Sequence, residues 1–190
     1  MNKLIKTTAL YNGDKFMYYI NIFFIFSFLG HIIENIVYTK VDSGILYGLW
    51  TPIYGIGTIA IILINKYLNK LKIKNIFKIP LLFLTSAIFL SIIETIGGYY
   101  IEIVFGRIFW SYKNHFIPIG KYTSVQMMLL WGIASILLIY LILPIINKLI
   151  KKIPKTLTTI FIYLFISDII YTHSKLANFF YKFFISFINF

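Results

Sequence analysis

Apolar residues fall along the chain in long, nearly uninterrupted runs separated by short polar pieces, a pattern unlike strand alternation or the narrow stripe of a surface helix. A helix rises about 1.5 Å per residue and the hydrocarbon core of a bilayer is about 30 Å thick, so about 20 apolar residues suffice to cross it. Residues 16–37, 79–105 and 123–146 meet that length. Two further runs, 50–64 and 157–172, are short and must borrow flanking residues or sit in a locally thinned bilayer. After Lys175, the residues Leu176, Phe179, Phe180, Phe183, Phe184, Phe187 and Ile188 recur at helical spacing, with Asn178, Lys182, Ser186 and Asn189 between them. This predicts an amphipathic helix over 175–190 lying in the interface; crossing as a sixth span is the alternative, and it would move the carboxyl terminus to the other side. The pattern as a whole predicts one all-α domain over 1–190, a polytopic transmembrane helix bundle of about five spans.

The connections refine that picture. Between the first two spans run Asp42, Ser43, Gly44, Ile45, Leu46, Tyr47, Gly48, Leu49, Trp50, Thr51, Pro52, Ile53, Tyr54, Gly55, Ile56 and Gly57. Glycines and a proline interrupt an otherwise apolar stretch, so an irregular backbone at membrane depth is expected, a re-entrant outer loop tolerated only against protein or a wet cavity. Gly44 and Gly48 form a GxxxG pair, weak as a dimerisation signal in so irregular a stretch. Between the third and fourth spans, Phe109, Trp110, Tyr112, His115 and Phe116 mix with Arg107, Lys113 and Asn114. Such aromatics serve as interfacial anchors, or form an aromatic and cationic lid in which Trp110 or Tyr112 touches a solute.

Composition strengthens the membrane reading. Hydrophobic residues make up 59% of the 190 and charged residues only 13%, and the mean hydropathy is +0.84, a surface that water would not solvate. The formal charge of +12 would suggest nucleic-acid binding in a soluble chain. Here the lysines cluster between apolar runs, so no nucleic-acid partner is expected. The amino-terminal tail carries Lys3, Lys6 and Lys15, the second connection Lys66, Lys70, Lys72, Lys74 and Lys78, and the fourth Lys148, Lys151, Lys152 and Lys155. That is twice as many as on the other side, where Lys40, Arg107, Lys113, Lys121, Lys175 and Lys182 fall. Basic flanks are retained in the cytoplasm, so the amino terminus is predicted inside and, with five spans, the carboxyl terminus outside. There is no cysteine, which excludes disulfides and thiolate metal sites.

Polar groups within the spans are the candidate chemistry. Glu34, Glu94, Glu102 and Asp168 lie within or at the ends of spans, where a lipid-facing charge costs about 2.5 to 3.5 kcal/mol at the helix centre. They must face protein or water, or be protonated. Ser91, Glu94, Thr95, Gly98 and Glu102 form a polar and small stripe down one face of the third span, with Leu90, Ile92, Ile96 and Ile103 assigned to the opposite face. The stripe is expected to turn inward, either as a packing seam or as a solute or proton path, with Gly97 and Gly98 allowing close approach of a neighbour. No Lys or Arg lies between Ile79 and Phe105, so Glu94 has no basic partner within its span, which makes it a candidate proton-sensitive group. His31 and Glu34 share a face and are expected to hydrogen-bond to each other, since two ligands do not complete a metal site. Asp168 should find polar partners on other elements. The outer candidates are Gly48, Pro52, Tyr54, Gly55, Arg107, Trp110 and Tyr112.

No phosphate loop is present, because Gly120 and Lys121 are followed by Tyr122, and no GxSxG elbow occurs. Several elements over about residues 20 to 145 match a known order. Gly30, Ile32, Ile33 and Glu34 resemble a first-helix Gly-Trp-x-x-Glu element, with His31 at the Trp position. Gly44 to Gly48 and then Pro52, Ile53, Tyr54 and Gly55 resemble a glycine-rich stretch ending in Pro-Ile-Tyr-Gly, with Ser43 in place of Arg and Leu49 in place of Pro. Ile93 and Glu94, then Phe105, Arg107, Trp110, Ser111 and Tyr112, resemble a Glu-bearing helix followed by Trp-Asp-Tyr, with Ser111 in place of Asp; Trp131 and Gly132 match a later Trp-Gly. In these features the chain resembles the ABC-transporter type IV (CmpB-like) family of small bacterial membrane proteins. The resemblance implies a multi-pass, permease-like component of the bacterial cytoplasmic membrane that moves an unidentified small solute with a separate ATPase subunit, carries no cofactor, and is open to homo-oligomerisation. The residues also leave room for a membrane-embedded acid–base enzyme using Glu34, Glu94, Glu102 and His31 on a lipid or envelope precursor, and for a non-catalytic assembly or regulatory protein.

Overall fold

In a computed structural model, residues 15–37, 45–71 and 73–188 are described, with the side chains of Val37, Asn75 and residues 176–188 excepted. Lys3, Lys6, Lys40, Asp42, Ser43, Gly44 and Lys72 lie outside the described residues, as do the side chains proposed for the interfacial face beyond Lys175. The chain forms a helical bundle of five helices: α1 (Lys15–Val37), α2 (Pro52–Lys70), α3 (Asn75–Phe105), α4 (Val125–Ile150) and α5 (Lys155–Ile188). A two-stranded antiparallel hairpin, β1 (Pro118–Ile119) and β2 (Thr123–Ser124), precedes α4.

By length and composition, α1, α3, α4 and the first part of α5 are each able to cross a membrane. α2 has 19 residues and is less apolar, because Asn65, Lys66, Asn69 and Lys70 occupy its last turns. It compensates by being enclosed. Gly55, Gly57, Thr58, Ile61, Ile62 and Leu68 are buried on it, where it packs against both α1 and α3. The second apolar run therefore continues as helix past position 64 to Lys70, the polar residues lying at the bundle end. α5 is a single unbroken helix of 34 residues. No glycine or proline separates the run 157–172 from the tail, so the backbone continues as one helix through it.

Inside α4, Leu138–Ile142 widen into a π-helical turn, and the Leu143 amide donates to the Leu138 carbonyl. Pro144 explains the position, since it has no N–H to offer the Tyr140 carbonyl. The apolar core gathers in the half of the bundle nearer the lysine-rich connections, around Ile22, Leu82, Ile139, Leu143 and Ile150. Two interhelical hydrogen bonds cross it: Tyr18 Oη donates to Asn147 Oδ1 at 2.9 Å, and Thr158 Oγ1 donates to Asn21 Oδ1 at 2.8 Å. Large apolar side chains such as Ile96 and Ile103, the latter 77% exposed, face outward, as lipid solvation requires.

Candidate functional site

The end of the bundle opposite the lysine-rich connections holds both irregular segments, 45–51 and 106–124. α3 stops at Gly106, whose left-handed conformation (φ 63°) lets its amide cap the Glu102 carbonyl. The chain then folds back over the helix it has just left. The Tyr112 amide donates to the Lys121 carbonyl at 2.9 Å, and the Val125 amide to the Ile117 carbonyl at 3.0 Å. Gly120 (φ 72°) makes the reversal between β1 and β2. Ser124 Oγ accepts from the Met127 amide at the start of α4 and lies 2.9 Å from His115 Nδ1, so the same hydroxyl fixes both the hairpin and the helix start.

This fold-back lands on the polar stripe of α3. Ser91, Glu94 and Gly98 are buried, and Thr95 and Glu102 partly so. Glu94 is 5% exposed. Its carboxylate accepts from Tyr112 Oη at 2.9 Å, Trp131 Nε1 at 3.1 Å and, more weakly, Thr123 Oγ1 at 3.4 Å. The donors come from the segment between α3 and β1, from β2 and from α4, so one acceptor joins three parts of the chain. All three are neutral. The group can hold a negative charge by hydrogen bonding alone, or take up a proton and become a donor itself. Tyr122 is 1% exposed and lies flat on Gly98, where any side chain would collide with its ring. Trp110 packs beside Tyr122 at 6.0 Å, with Nε1 buried and without a hydrogen-bond partner among the described residues.

Leu90 is buried rather than on the outer face with Ile92, Ile96 and Ile103. It stands four residues before Glu94 and so shares its side of the helix.

The expected bond between His31 and Glu34 is not made. His31 Nδ1 is buried without a partner among the described residues, and Glu34 instead accepts from Thr51 Oγ1 at 3.3 Å and from Tyr54. Gly30 is the cause, since the Tyr54 ring occupies the place of a Cβ there and brings α2 within reach of Glu34. Tyr54 also meets Trp131 edge-on at 6.3 Å. The Glu34 and Glu94 clusters are thus joined through two aromatic side chains. Pro52 opens α2, and Gly55 packs against Phe23 and Ser27 with no room for a side chain.

Glu102 takes different partners. It forms an ion pair with Lys121 and accepts from Tyr122 Oη at 2.6 Å. The Glu102 hydrogen bond holds the Lys121 ammonium above the usual lysine range. Arg107 is exposed. Among the described residues, each of the three glutamates is engaged with its own donors and no two share a hydrogen bond. No group of three His, Cys, Asp or Glu side chains comes together there to hold a metal ion.

Asp168 of α5 organises the other irregular segment. Its carboxylate accepts from the Tyr47 amide at 3.0 Å, the Gly48 amide at 2.7 Å, Trp50 Nε1 at 2.8 Å and Thr172 Oγ1 at 3.3 Å. Gly48 is required because the Trp50 indole covers the position a Cβ would take. Lys175 Nζ donates to Tyr47 Oη at 2.7 Å, closing the segment from above.

The family model of Putative ABC-transporter type IV matches residues 21–173. The chain belongs to that family. The match continues past the motif-bearing stretch 20–145 into α5 and takes in Asp168. No curated protein and no solved structure matches the chain. The chain is accordingly a multi-pass membrane protein of the ABC-transporter type IV family. Within it, Tyr122, Thr123, Trp131, Lys121 and Thr51 belong to the site beside the residues picked from sequence. For Trp131 a signal existed, because an indole N–H in the middle of an apolar span needs an acceptor. Tyr122 and Thr123 carried none, since their contacts depend on the hairpin folding back.

Proposed function

We propose that this chain is the permease-like component of an ABC-type transport system for a small solute, and that the clasp on Glu94 is its gate at the hairpin end. The reading rests on one observation above all: a buried carboxylate joins the segment before β1, β2 and α4 through three neutral donors. Proton uptake, or a solute offering its own donor, would exchange with those bonds and release the hairpin. Family membership supports a transporter component. The chain has no phosphate loop, so energy would come from a separate ATPase docking at the basic connection 66–78. The lysine distribution supports placement in the bacterial cytoplasmic membrane with the amino terminus inside.

Affinity purification of the solubilised chain tests this, with an ATPase subunit expected in stoichiometric amount and loss of uptake expected on deletion. Glu94→Gln should keep the assembly while impairing uptake. A monodisperse preparation lacking any ATPase, together with unchanged uptake on deletion, would contradict it. A carboxyl-terminal reporter that fluoresces only in cytoplasm should stay dark.

A further inference from the structure

A groove of about 380 Å³ runs between α1 and α5, away from the Glu94 clasp. Phe24, Ile25 and Phe28 of α1, Trp50, and Leu157 and Phe161 of α5 form its walls. One amide interrupts this apolar lining. Asn21 is 3% exposed; its Oδ1 accepts from Thr158, but Nδ2 is enclosed with no partner among the described residues. A buried donor left open in an apolar wall is a place for a ligand carbonyl. At the groove's lysine-rich end, Ile153 and Leu157 line the wall and the exposed Lys151, Lys152 and Lys155 flank them in sequence. Thr158, the partner of Asn21, stands three residues past Lys155, about 4.5 Å along the helix axis. That is the offset of an ester carbonyl beneath the phosphate of a glycerolipid.

We propose that this groove binds one anionic phospholipid. An acyl chain lies between α1 and α5, an ester carbonyl accepts from Asn21 Nδ2, and the phosphate sits among Lys151, Lys152 and Lys155. Charge complementarity at the mouth and an apolar interior select this occupant over a water-soluble solute. A helix of a second copy, about 10 Å across, would fill the volume within about one turn, whereas a single acyl chain can thread it.

Native mass spectrometry of the delipidated full chain, titrated with phosphatidylglycerol or phosphatidylcholine of identical acyl chains, tests the proposal. One phosphatidylglycerol should be retained with at least about tenfold preference, since each lysine near the headgroup adds on the order of fivefold. Replacing Lys151, Lys152 and Lys155 together by glutamine should abolish the preference. Asn21→Leu should weaken both lipids by about fivefold. Leu157→Trp, at a position 40% exposed, should block the groove and remove retention; Ile25→Trp makes the same prediction if that variant fails to fold. Equal retention of the two lipids by the wild type, phosphatidylglycerol binding indifferent to Leu157→Trp, or a dimer lost with that variant in place of a bound lipid would each overturn the proposal.

Discussion

Segment 45–51 and the hairpin segment 106–124 lie at the same end of the bundle, and a carboxylate from a helix ties down each. Asp168 holds the first chiefly through backbone amides, those of Tyr47 and Gly48, with the Trp50 indole added. Glu94 holds the second entirely through side chains, the Tyr112 and Thr123 hydroxyls and the Trp131 indole. An amide is present at every non-proline residue, so the first clasp depends mainly on one aspartate and on the glycine that admits Trp50. The second depends on the identity of each donor. It can therefore be loosened one bond at a time, which suits a segment that moves, whereas the Asp168 clasp suits one that stays.

The largest effect should follow Glu94→Leu, which strands three donors in a buried site at about 1 kcal/mol or more each, so unfolding in detergent should become easier by about 3 kcal/mol. Glu94→Gln keeps an acceptor and should lose only about 1 kcal/mol. Equal losses would mean that the side-chain clasp is not what holds the hairpin. Asp168→Ala should rank next, at about 2 kcal/mol, since water can reach some of the freed groups, and protease cleavage should appear within 45–51 and not in the hairpin. Cleavage in both would erase the distinction between the clasps.

Gly98→Ala drives a methyl group into the Tyr122 ring and should destabilise by about 1 to 3 kcal/mol, with Tyr122→Ala in the same chain relieving the clash. Lys121→Met should have the smallest effect. The Glu102 hydrogen bond raises the lysine above its ordinary range, so the pair's contribution is fully present below the ordinary lysine value of about 10.4 and is lost as pH rises through the folded-state value. The small difference in Tm between variant and wild type should stay constant from about pH 6 to about pH 9 and close only above the lysine range. A gap that closed instead in mild acid would show that a carboxylate titration controls it.

Hydropathy made the five helices legible because lipid imposes long apolar runs on any helix that crosses it. It also marked Glu34, Glu94, Glu102 and Asp168, whose charge is out of place there. Partners were another matter. Periodicity assigns a face to Glu94 but does not place Tyr112 or Thr123 on it, because that depends on Gly106, Gly120 and the β1–β2 pairing reversing the chain. His31 and Glu34 share a face, yet their bond loses to Thr51 and Tyr54, since Gly30 admits α2 so closely. The continuity of α5 escaped notice for a simpler reason: Lys175 reads as a boundary in hydropathy, while nothing near it breaks a helix backbone.

The chain contains no cysteine, so a single introduced thiol reports without background. Thr123, 5% exposed on the buried side of the hairpin, is the place for it. In intact membranes, Thr123→Cys should resist a membrane-impermeant maleimide applied from the hairpin side, and adding Glu94→Gln should raise its labelling rate by about fivefold, the equivalent of the roughly 1 kcal/mol of clasp that substitution removes. Equal labelling with Glu94 intact and replaced would contradict the claim that this carboxylate holds the hairpin closed.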